Sequence, residues 1–396
     1  MSTIRLPKGY RFAGVACGIK ASEKPDVSLV VCDVPAVASG VYTQNQVVAA
    51  PVKICRQRTP SETIRAVVTN SGNANACTGQ QGQTDALAMC QHVAGLLDSK
   101  PESVLLMSTG VIGHHLPMPK VTEGIQKAHD SLGDQEEDFL GAADAILTTD
   151  LSRKVASAEV SLDGQTIRIA AMAKGAGMIN PNMATMLALI ITDAKLTTKQ
   201  ASRFAKSVAD ATFNRVSVDG HTSTNDTQLL LANGASEVAI TEANEQAFLE
   251  ALISVTQPLA IALAADGEGA ERIMNVQVSG AQSDEDAELI ARTVGASPLV
   301  KTALTGCDPN WGRIVSAAGY AGPKIDPDRT CLTIEGHQLY HNGAPTAFDQ
   351  ATVSQAIKDQ KQVDVQLIVG SGPGKSNHIT SDLTTSYVTF NSEYTT

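Results

Sequence analysis

The stretch KGAGMINPNMATMLALIITDA, residues 174–194, says more about the fold than any other part of the chain. Its second half contains MLALII (186–191), which is apolar at every position and predicts a strand buried on both faces. The first half contains glycines, asparagines and a proline, and these residues do not form a regular element. A loop that is rich in Met and Ala, and that leads into a buried strand, is expected to lie inside the protein.

Short β-type runs precede this stretch. VSLVVC (27–32), IRAVVTN (64–70) and VLLM (104–107) read as strands, and an Ala-rich helical pattern covers about 84–97. The Asp-Gly dipeptide at 163–164 lies between two alternating segments, which is a strong signal for a hairpin. The first part of the chain therefore mixes strands and helices.

The chain after this stretch continues with two helical patterns, at about 197–213 and 241–264. Alternating runs then return, the last of them YVTFN (387–391). The acidic run SDEDAE (283–288) interrupts these alternating segments, and we place a domain boundary near 275–285. The sequence predicts a main catalytic domain over 1–278 and a C-terminal domain over 279–396.

Composition excludes several classes of protein. The formal net charge is −11, without a Lys/Arg-rich run, which excludes a nucleic-acid backbone as partner. Seven cysteines, an odd number without a Cys-x-x-Cys pair, are typical of a reducing compartment. The histidines show no metal-binding pattern, so no metal is expected. The N-terminus lacks a secretory signal and no uninterrupted run of about 18 apolar residues occurs, so we expect a cytoplasmic enzyme.

Four polar motifs are ambiguous by themselves. VGSGPGKS (369–376) resembles a phosphate loop, but Val369 stands where the pattern needs Gly, and a hairpin turn is the better interpretation. NSGNANACTG (70–79) and HTSTNDT (221–227) could be ordinary turns or parts of a site. STG (108–110) could be a plain turn after a strand, but it also offers a hydroxyl and a flexible backbone N–H, which together can form an oxyanion hole.

Thr185 is the residue with the most specific chemical potential. An internal Thr is normally structural, but its hydroxyl can attack the preceding carbonyl, here that of Ala184, to give an ester. Hydrolysis of the ester cuts the chain and exposes Thr185 as a new N-terminus. The new α-amine, with an unperturbed pKa of about 7.7–8.0, can then act as general base for its own hydroxyl. The small Ala184 side chain and the nearby glycines suit such an attack.

Residues 174–194 closely resemble the signature of the ornithine acetyltransferase family, the glutamate N-acetyltransferases of arginine biosynthesis. The resemblance extends over nearly the whole chain, with the motifs in the family's order. The other matching motifs are NSGNANACTG (70–79), STGVIG (108–113), TTD (148–150), TSTNDT (222–227), DGEGA (266–270), the SPLVKTA and GCDPNWGRI runs within 297–314, and the ending NSEYTT.

The resemblance implies a set of site residues. Thr185 would be the nucleophile after cleavage between Ala184 and Thr185, and Thr109 and Gly110 would form the oxyanion hole. Lys174 can hold a substrate carboxylate and Glu268 a substrate amine, although a structural ion pair between the two is the alternative. The substrate-binding positions that the resemblance implies are Thr148, Lys174, Thr185, Glu268, Asn391 and Thr396.

The resemblance also implies a reaction and a fold. Acetyl would move from N2-acetylornithine to glutamate by a ping-pong mechanism through acetyl-Thr185, without a metal or redox cofactor, and acetyl-CoA is a possible second donor. The fold would be α/β, a layered αββα-type sandwich with a smaller C-terminal α/β domain. Fragments 1–184 and 185–396 would stay together as an α2β2 assembly.

Two alternatives stay open, and two positions depart from the family pattern. A related self-cleaving amidase or aminopeptidase would transfer the acyl group to water, and a non-catalytic descendant would only bind an amino acid. His221 stands where Asp is usual, and SNHITSDLT (376–384) lacks the Trp-Gly-Cys run. These departures concern substrate preference more than reaction type.

Overall fold

The computed structural model describes residues 4–162, 164–180 and 186–393. Within these ranges the chain forms fifteen strands in two sheets, together with eleven α-helices. The strands are β1 Tyr10–Val15, β2 Val27–Tyr42, β3 Ser61–Asn73, β4 Val104–Val111, β5 Lys154–Leu162, β6 Gln165–Lys174, β7 Leu187–Thr192, β8 Val216–Ser217, β9 Thr227–Ala232, β10 Ile273–Ala281, β11 Cys331–Ile334, β12 His337–His341, β13 Ala344–Pro345, β14 Gln362–Ile368 and β15 Gly374–Ser381. The helices are α1 Ala50–Arg58, α2 Gly79–Leu96, α3 Met118–Asp130, α4 Glu136–Ala145, α5 Thr198–Ala211, α6 Glu245–Ala265, α7 Asp284–Ala296, α8 Pro298–Thr305, α9 Trp311–Gly319, α10 Gln350–Asp359 and α11 Thr385–Glu393.

The first sheet is organised around the long strand β2. The strand order is β4-β3-β2-β9-β7-β6-β5, with β1 also paired to β2. The register between β2 and β3 shifts between Val31 and Ala36, and beyond the shift β2 pairs with β9 instead of β1. Val30 from the first half of the sheet and Leu189 from the second half share one hydrophobic core. The two halves of the sheet therefore pack against each other.

The two halves of the sheet form two stacked layers, and helices cover the outer face of each layer. Helices α3 and α4 pack on β1 and β2, whereas α5 packs on β2 and β9, and α6 on β5 and β6. Strand β7 is apolar at every position because both of its faces are buried. Leu187 and Leu189 face the core between the layers, while Ala188 and Ile190 face the helices α5 and α6. The predicted αββα sandwich and the predicted buried strand over 186–191 are confirmed.

Helix α6 combines a long apolar sequence with a buried position. By length and composition it is apolar enough to cross a membrane, the only such helix among the described residues. Phe248, Leu252 and Leu263 are fully buried in the core beside β5 and β6. The apolar composition of α6 is thus accounted for by its contacts with the first sheet.

The second sheet has the order β13-β12-β11-β14-β10-β15-β8 and forms its own core with α7 to α10. The side chain of Ser283 accepts a hydrogen bond from Asp286 N and starts α7, so the acidic run SDEDAE begins a helix. The predicted division between residues 278 and 279 falls inside β10, all of which belongs to this sheet. The division into two domains stays a prediction.

Local predictions have mixed outcomes. The hairpin at 163–164 is confirmed, since β5 and β6 pair with Leu162 opposite Gln165. The turn within 369–376 does not form a hairpin, because β10 lies between β14 and β15.

The strand prediction for YVTFN (387–391) is wrong, because α11 covers this run. The Thr384 hydroxyl accepts from Tyr387 N at 3.2 Å, and this N-terminal capping bond outweighs the β propensity of the run.

Candidate active site

A cavity of about 250 Å³ opens where the first sheet meets α11. It collects residues from the ends of β4 and β6, from the segments that follow α4, β6, β8 and α6, and from α11. Six of the residues that the sequence predicts for the site line it: Thr109, Gly110, Thr148, Lys174, Glu268 and Asn391. The cavity is completed by Thr149, Gly177, Met178, Asp219, His221 and Tyr387.

The end of β4 holds the two residues that are predicted for the oxyanion hole. Thr109 is 5% exposed, and Gly110 has a φ of 132°, a conformation that side chains other than glycine rarely adopt. A Cβ on Gly110 would lie 2.3 Å from the carbonyl carbon of Gly72, so only glycine fits. The hydroxyl of Thr109 and the backbone of Gly110 are thus held side by side at the cavity wall.

The loop NSGNANACTG supports this corner rather than lining the cavity. Asn225 donates hydrogen bonds to the carbonyl oxygens of Ala74 at 2.6 Å and Ser108 at 2.9 Å. Ser108 also donates to Asn70 Oδ1 at 2.6 Å. The two polar motifs that were ambiguous in the sequence are therefore connected through the strand end that precedes Thr109.

Lys174 joins both hydroxyls of the predicted site. Its side chain is buried, and its Nζ donates to Thr148 Oγ1 at 2.7 Å and to Thr109 Oγ1 at 3.2 Å. Burial lowers the pKa of Lys174, while the nearby carboxylate of Asp150 opposes the shift. Because each hydroxyl accepts from Lys174, each keeps its own hydrogen for another acceptor.

The carboxylate of Asp150 contacts the groups that surround Lys174. It accepts from Lys154 Nζ at 2.8 Å, from Gly175 N at 2.6 Å and from Thr148 N at 3.1 Å, and it lies 3.9 Å from Lys174 Nζ. Burial raises the pKa of Asp150, but the ammonium groups of Lys174 and Lys154 and these hydrogen bonds outweigh it and bring the pKa to about 2. Asp150 therefore stays charged and fixes the turn that carries Thr148.

Glu268 lies on the opposite side of the cavity with partners of its own. Thr149 Oγ1 donates to its Oε1 at 2.8 Å, and Asn391 Nδ2 donates to its Oε2 at 3.1 Å. Within the described residues no ion pair joins Lys174 to Glu268; Lys174 instead pairs with the Asp150 carboxylate at 3.9 Å. Two sites of opposite charge thus face one cavity.

Asp219 fixes the loop that leads to the expected cleavage position. Its carboxylate accepts from Met178 N at 2.7 Å and from Ile179 N at 3.0 Å, and Met178 has a φ of 53°. Burial, together with the charges of Asp219 and Glu268, raises the pKa of Tyr387 to about 12. Neither Asp219 nor Tyr387 belongs to the site residues that the sequence predicts. The Asp-Gly turn at 219–220 was the only local signal for the first.

Three predicted residues, Ala184, Thr185 and Thr396, lie outside the described residues, and so does Met183 of the Met-rich loop. The expectation that this loop is internal is met for Ala176 and Ile179, which are buried, whereas Met178 contributes to the cavity wall. The roles of all the site residues stay predictions.

Comparison with known proteins gives one family. The model of the ArgJ family matches residues 11–396. A protein from Rhodopirellula baltica, "Arginine biosynthesis bifunctional protein ArgJ", is 57% identical over 397 residues, covering 99% of this chain and 96% of that protein. A protein of the same name from Nitratidesulfovibrio vulgaris is 45% identical, covering 98% of each.

One solved structure agrees with these relatives. The arginine biosynthesis bifunctional protein from Bacillus halodurans is 33% identical with a TM-score of 0.51, and the match covers 52% of this chain and 98% of that chain. The resemblance seen in the motifs is therefore confirmed over almost the full length. The chain belongs to the ArgJ family.

Proposed function

We propose that the chain is a glutamate N-acetyltransferase that moves the acetyl group of N2-acetylornithine to glutamate through an acetyl-Thr185 ester. The observation that carries the proposal is the cavity itself. It brings Thr109, Gly110, Lys174 and Glu268 together from parts of the chain that are far apart in sequence. Thr109 and Gly110 would donate to a tetrahedral oxyanion. Lys174 and Glu268 would bind the negative and the positive group of an amino-acid substrate.

The position of β7 supports Thr185 as the nucleophile. Leu187, the first residue of β7, pairs with Lys174 at the end of β6. Thr185 precedes Leu187 by two residues in the sequence, and the Lys174 ammonium contacts Thr109. Consecutive Cα atoms are about 3.8 Å apart, so the chain is short enough for the Thr185 hydroxyl to reach the oxyanion hole.

Cleavage before Thr185 is part of the proposal, because an internal Thr lacks a base whereas an N-terminal Thr has its own α-amine. The Bacillus halodurans chain supports it indirectly. It matches over 98% of its own length, yet it covers only 52% of this chain, close to the share that residues 185–396 represent. We propose that both fragments stay together and assemble as α2β2.

The transfer would proceed in two halves. The α-amine takes the proton of the Thr185 hydroxyl as its oxygen attacks the acetyl carbonyl, and Thr109 and Gly110 stabilise the oxyanion, a role worth about 10²–10³ in rate per donor. Ornithine leaves, and glutamate then attacks the acetyl ester. Lys174 would hold a substrate carboxylate and Glu268 a substrate amine.

No metal or redox cofactor is required by this chemistry, and acetyl-CoA is proposed as a possible second donor. The cytoplasm is the proposed location. The seven cysteines, all within the described residues, are free thiols, as a reducing compartment favours.

The proposed function is tested by following labelled acetyl. Purified protein is incubated with N2-acetylornithine carrying a labelled acetyl group, with and without glutamate, and the products are separated by mass. We expect labelled N-acetylglutamate, and exchange of free labelled ornithine into acetylornithine without glutamate, as a ping-pong mechanism requires. Release of labelled acetate at the same rate with or without glutamate would instead show an amidase.

Variants connect this activity to Thr185. Thr185→Ala should give one uncut chain without exchange activity, whereas Thr166→Ala, an exposed position on β6, should be cut and active. Cutting of the Thr185→Ala chain into the same two fragments would contradict the proposed nucleophile.

A further inference from the structure

Cys331 in the second sheet has a histidine beside its sulfur atom. Strand β11 begins at Cys331, β12 ends at His341, and the two strands pair as an antiparallel hairpin. This pairing brings Cys331 Sγ to 3.4 Å from His341 Nδ1. A thiol and a base within reach of each other, with the base oriented by a third group, are the components of an activated nucleophile.

Three further groups hold this pair in place. The side-chain amide of Gln338 lies 3.1 Å from His341 Nδ1, and the side-chain amide of Asn342 lies 3.1 Å from His341 Nε2. The imidazole is therefore held against the sulfur through both of its nitrogen atoms. Asn342 N also donates to Cys331 Sγ at 3.5 Å, and a hydrogen bond from a backbone N–H favours the charged form of the thiol.

His341 is also the acceptor that can remove the thiol proton. Two other acceptors lie farther from Cys331 Sγ, the carbonyl oxygen of Arg329 at 3.7 Å and Asn342 Oδ1 at 3.6 Å. Neither of these oxygens is a base near neutral pH, whereas a neutral imidazole can take up a proton there. The thiolate, not the thiol, is the attacking form, so contact with the imidazole favours reaction.

The other six cysteines each lack a part of this arrangement. Cys17 is half-buried, and burial together with Asp26 raises the pKa of its thiol to about 12. Cys77 is exposed, but no histidine within the described ranges contacts its sulfur. The remaining four are buried: Cys32, Cys55, Cys90 and Cys307.

We propose that Cys331 is a site of thiol–disulfide exchange, at which a low-molecular-weight disulfide of the glutathione class forms a mixed disulfide with the protein. His341 takes up the thiol proton, and Cys331 Sγ attacks one sulfur of the small disulfide. A new S–S bond forms as the S–S bond of the small disulfide breaks, and the departing thiolate takes the proton from His341. Cys331 is oxidised, and one half of the small disulfide is reduced to a thiol.

This exchange is separate from acetyl transfer. Neither Cys331 nor His341 lines the cavity of the candidate active site, and both belong to the second sheet. The proposed modification site therefore stands or falls independently of the proposed function.

Exchange is measured on the full-length chain with oxidised glutathione as the probe. The reduced protein is incubated at pH 7, an excess of alkylating reagent stops the reaction, and peptide mass spectrometry gives the glutathione-modified fraction of each cysteine over time. Cys77 is the comparison within the same molecule, because it is the exposed thiol. Cys32, which is 0% exposed, reports whether the fold stays closed.

Two substitutions on β12 isolate the effect of the imidazole. His341→Gln removes the base beside the sulfur. His337→Gln is the matched control, because His337 pairs with Ile334 at the end of the hairpin that is distant from Cys331.

We expect Cys331 to react about tenfold faster than Cys77, because an ordinary thiol with a pKa of about 8.5 is only about 3% ionised at pH 7 and a base in contact raises that fraction. His341→Gln should lower the rate at Cys331 to that at Cys77, whereas His337→Gln should leave it unchanged. Cys32 should stay unmodified in all three proteins.

Equal rates at Cys331 and Cys77 in the wild-type chain would overturn the inference. So would a His341→Gln variant that keeps the wild-type rate at Cys331. If His341→Gln unfolds, which reaction at Cys32 would report, the comparison of the two cysteines in the wild-type chain still decides.

Discussion

The Lys174 ammonium donates a hydrogen bond to the Thr109 hydroxyl oxygen at 3.2 Å inside a buried corner of the cavity. This contact joins the end of β6 to the end of β4. It orients the hydroxyl and polarises it, and the Thr109 hydrogen remains free to be donated elsewhere. The proposed oxyanion role of Thr109 depends on this free hydrogen.

Removing this hydroxyl should affect turnover more than substrate binding. Thr109→Ala is expected to lower kcat by about 10²–10³ with a small change in KM, because the oxyanion exists only after attack. Thr109→Ser retains a hydroxyl and should recover much of the rate. Steady-state kinetics with acetylornithine and glutamate measures both, and an unchanged kcat in Thr109→Ala would contradict the assigned role.

Two lysines near Asp150 should behave differently. Lys174 contacts the site threonines, whereas Lys154 Nζ contacts Asp150 and Asp266 outside the cavity. Lys174→Met should abolish measurable transfer. Lys154→Met should destabilise the fold by about 3–5 kcal/mol, as breaking a buried ion pair does, yet retain transfer below its unfolding temperature. Equal loss of activity in two folded variants would contradict a substrate role for Lys174.

The stability of the fold should depend on Asp150 at acidic pH. Its pKa in the folded protein, about 2, is lower than the usual value of 3.8, so its contribution is present above about pH 4 and is lost as the pH falls through 2. In the uncut Thr185→Ala background, Asp150→Asn should lower stability by about 3 kcal/mol at pH 7. Thermal unfolding between pH 7 and 2 should show this gap closing below pH 4. A gap that is independent of pH would refute the assignment.

A methyl group at Gly177 should disturb Glu268 selectively. A Cβ there would lie 2.5 Å from Glu268 Oε2, so the carboxylate must move away. Gly177→Ala is expected to raise KM for acetylornithine by about tenfold, the effect of roughly 1.4 kcal/mol of lost binding. Gly95→Ala in α2 is the control, because its Cβ meets nothing within 4 Å, and it should leave KM unchanged. No change in KM for Gly177→Ala would argue against substrate contact by Glu268.

Much of the fold follows from local patterns in the sequence. The apolar run 186–191 predicted a strand buried on both faces, and the Asp-Gly dipeptide at 163–164 predicted the β5–β6 hairpin. Both depend on neighbouring residues only. The strand predicted for 387–391 is wrong because the Thr384 hydroxyl caps a helix there by accepting from Tyr387 N.

The contacts within the candidate site could not be predicted from local sequence patterns. The contacts of Lys174 with Thr109, and of Asn225 with Ala74, join residues 65 and 151 positions apart. No spacing rule reports such contacts, so the resemblance to a family, not periodicity, identified Thr109 and Lys174.

Cleavage of the chain before Thr185 is tested by the denatured mass of the purified protein. We expect two fragments, 1–184 and 185–396, with Thr185 as the first residue of the second by N-terminal sequencing. A single chain of 396 residues that stays uncut for days at neutral pH would contradict it, because Thr185 would then lack the α-amine that makes its hydroxyl a nucleophile.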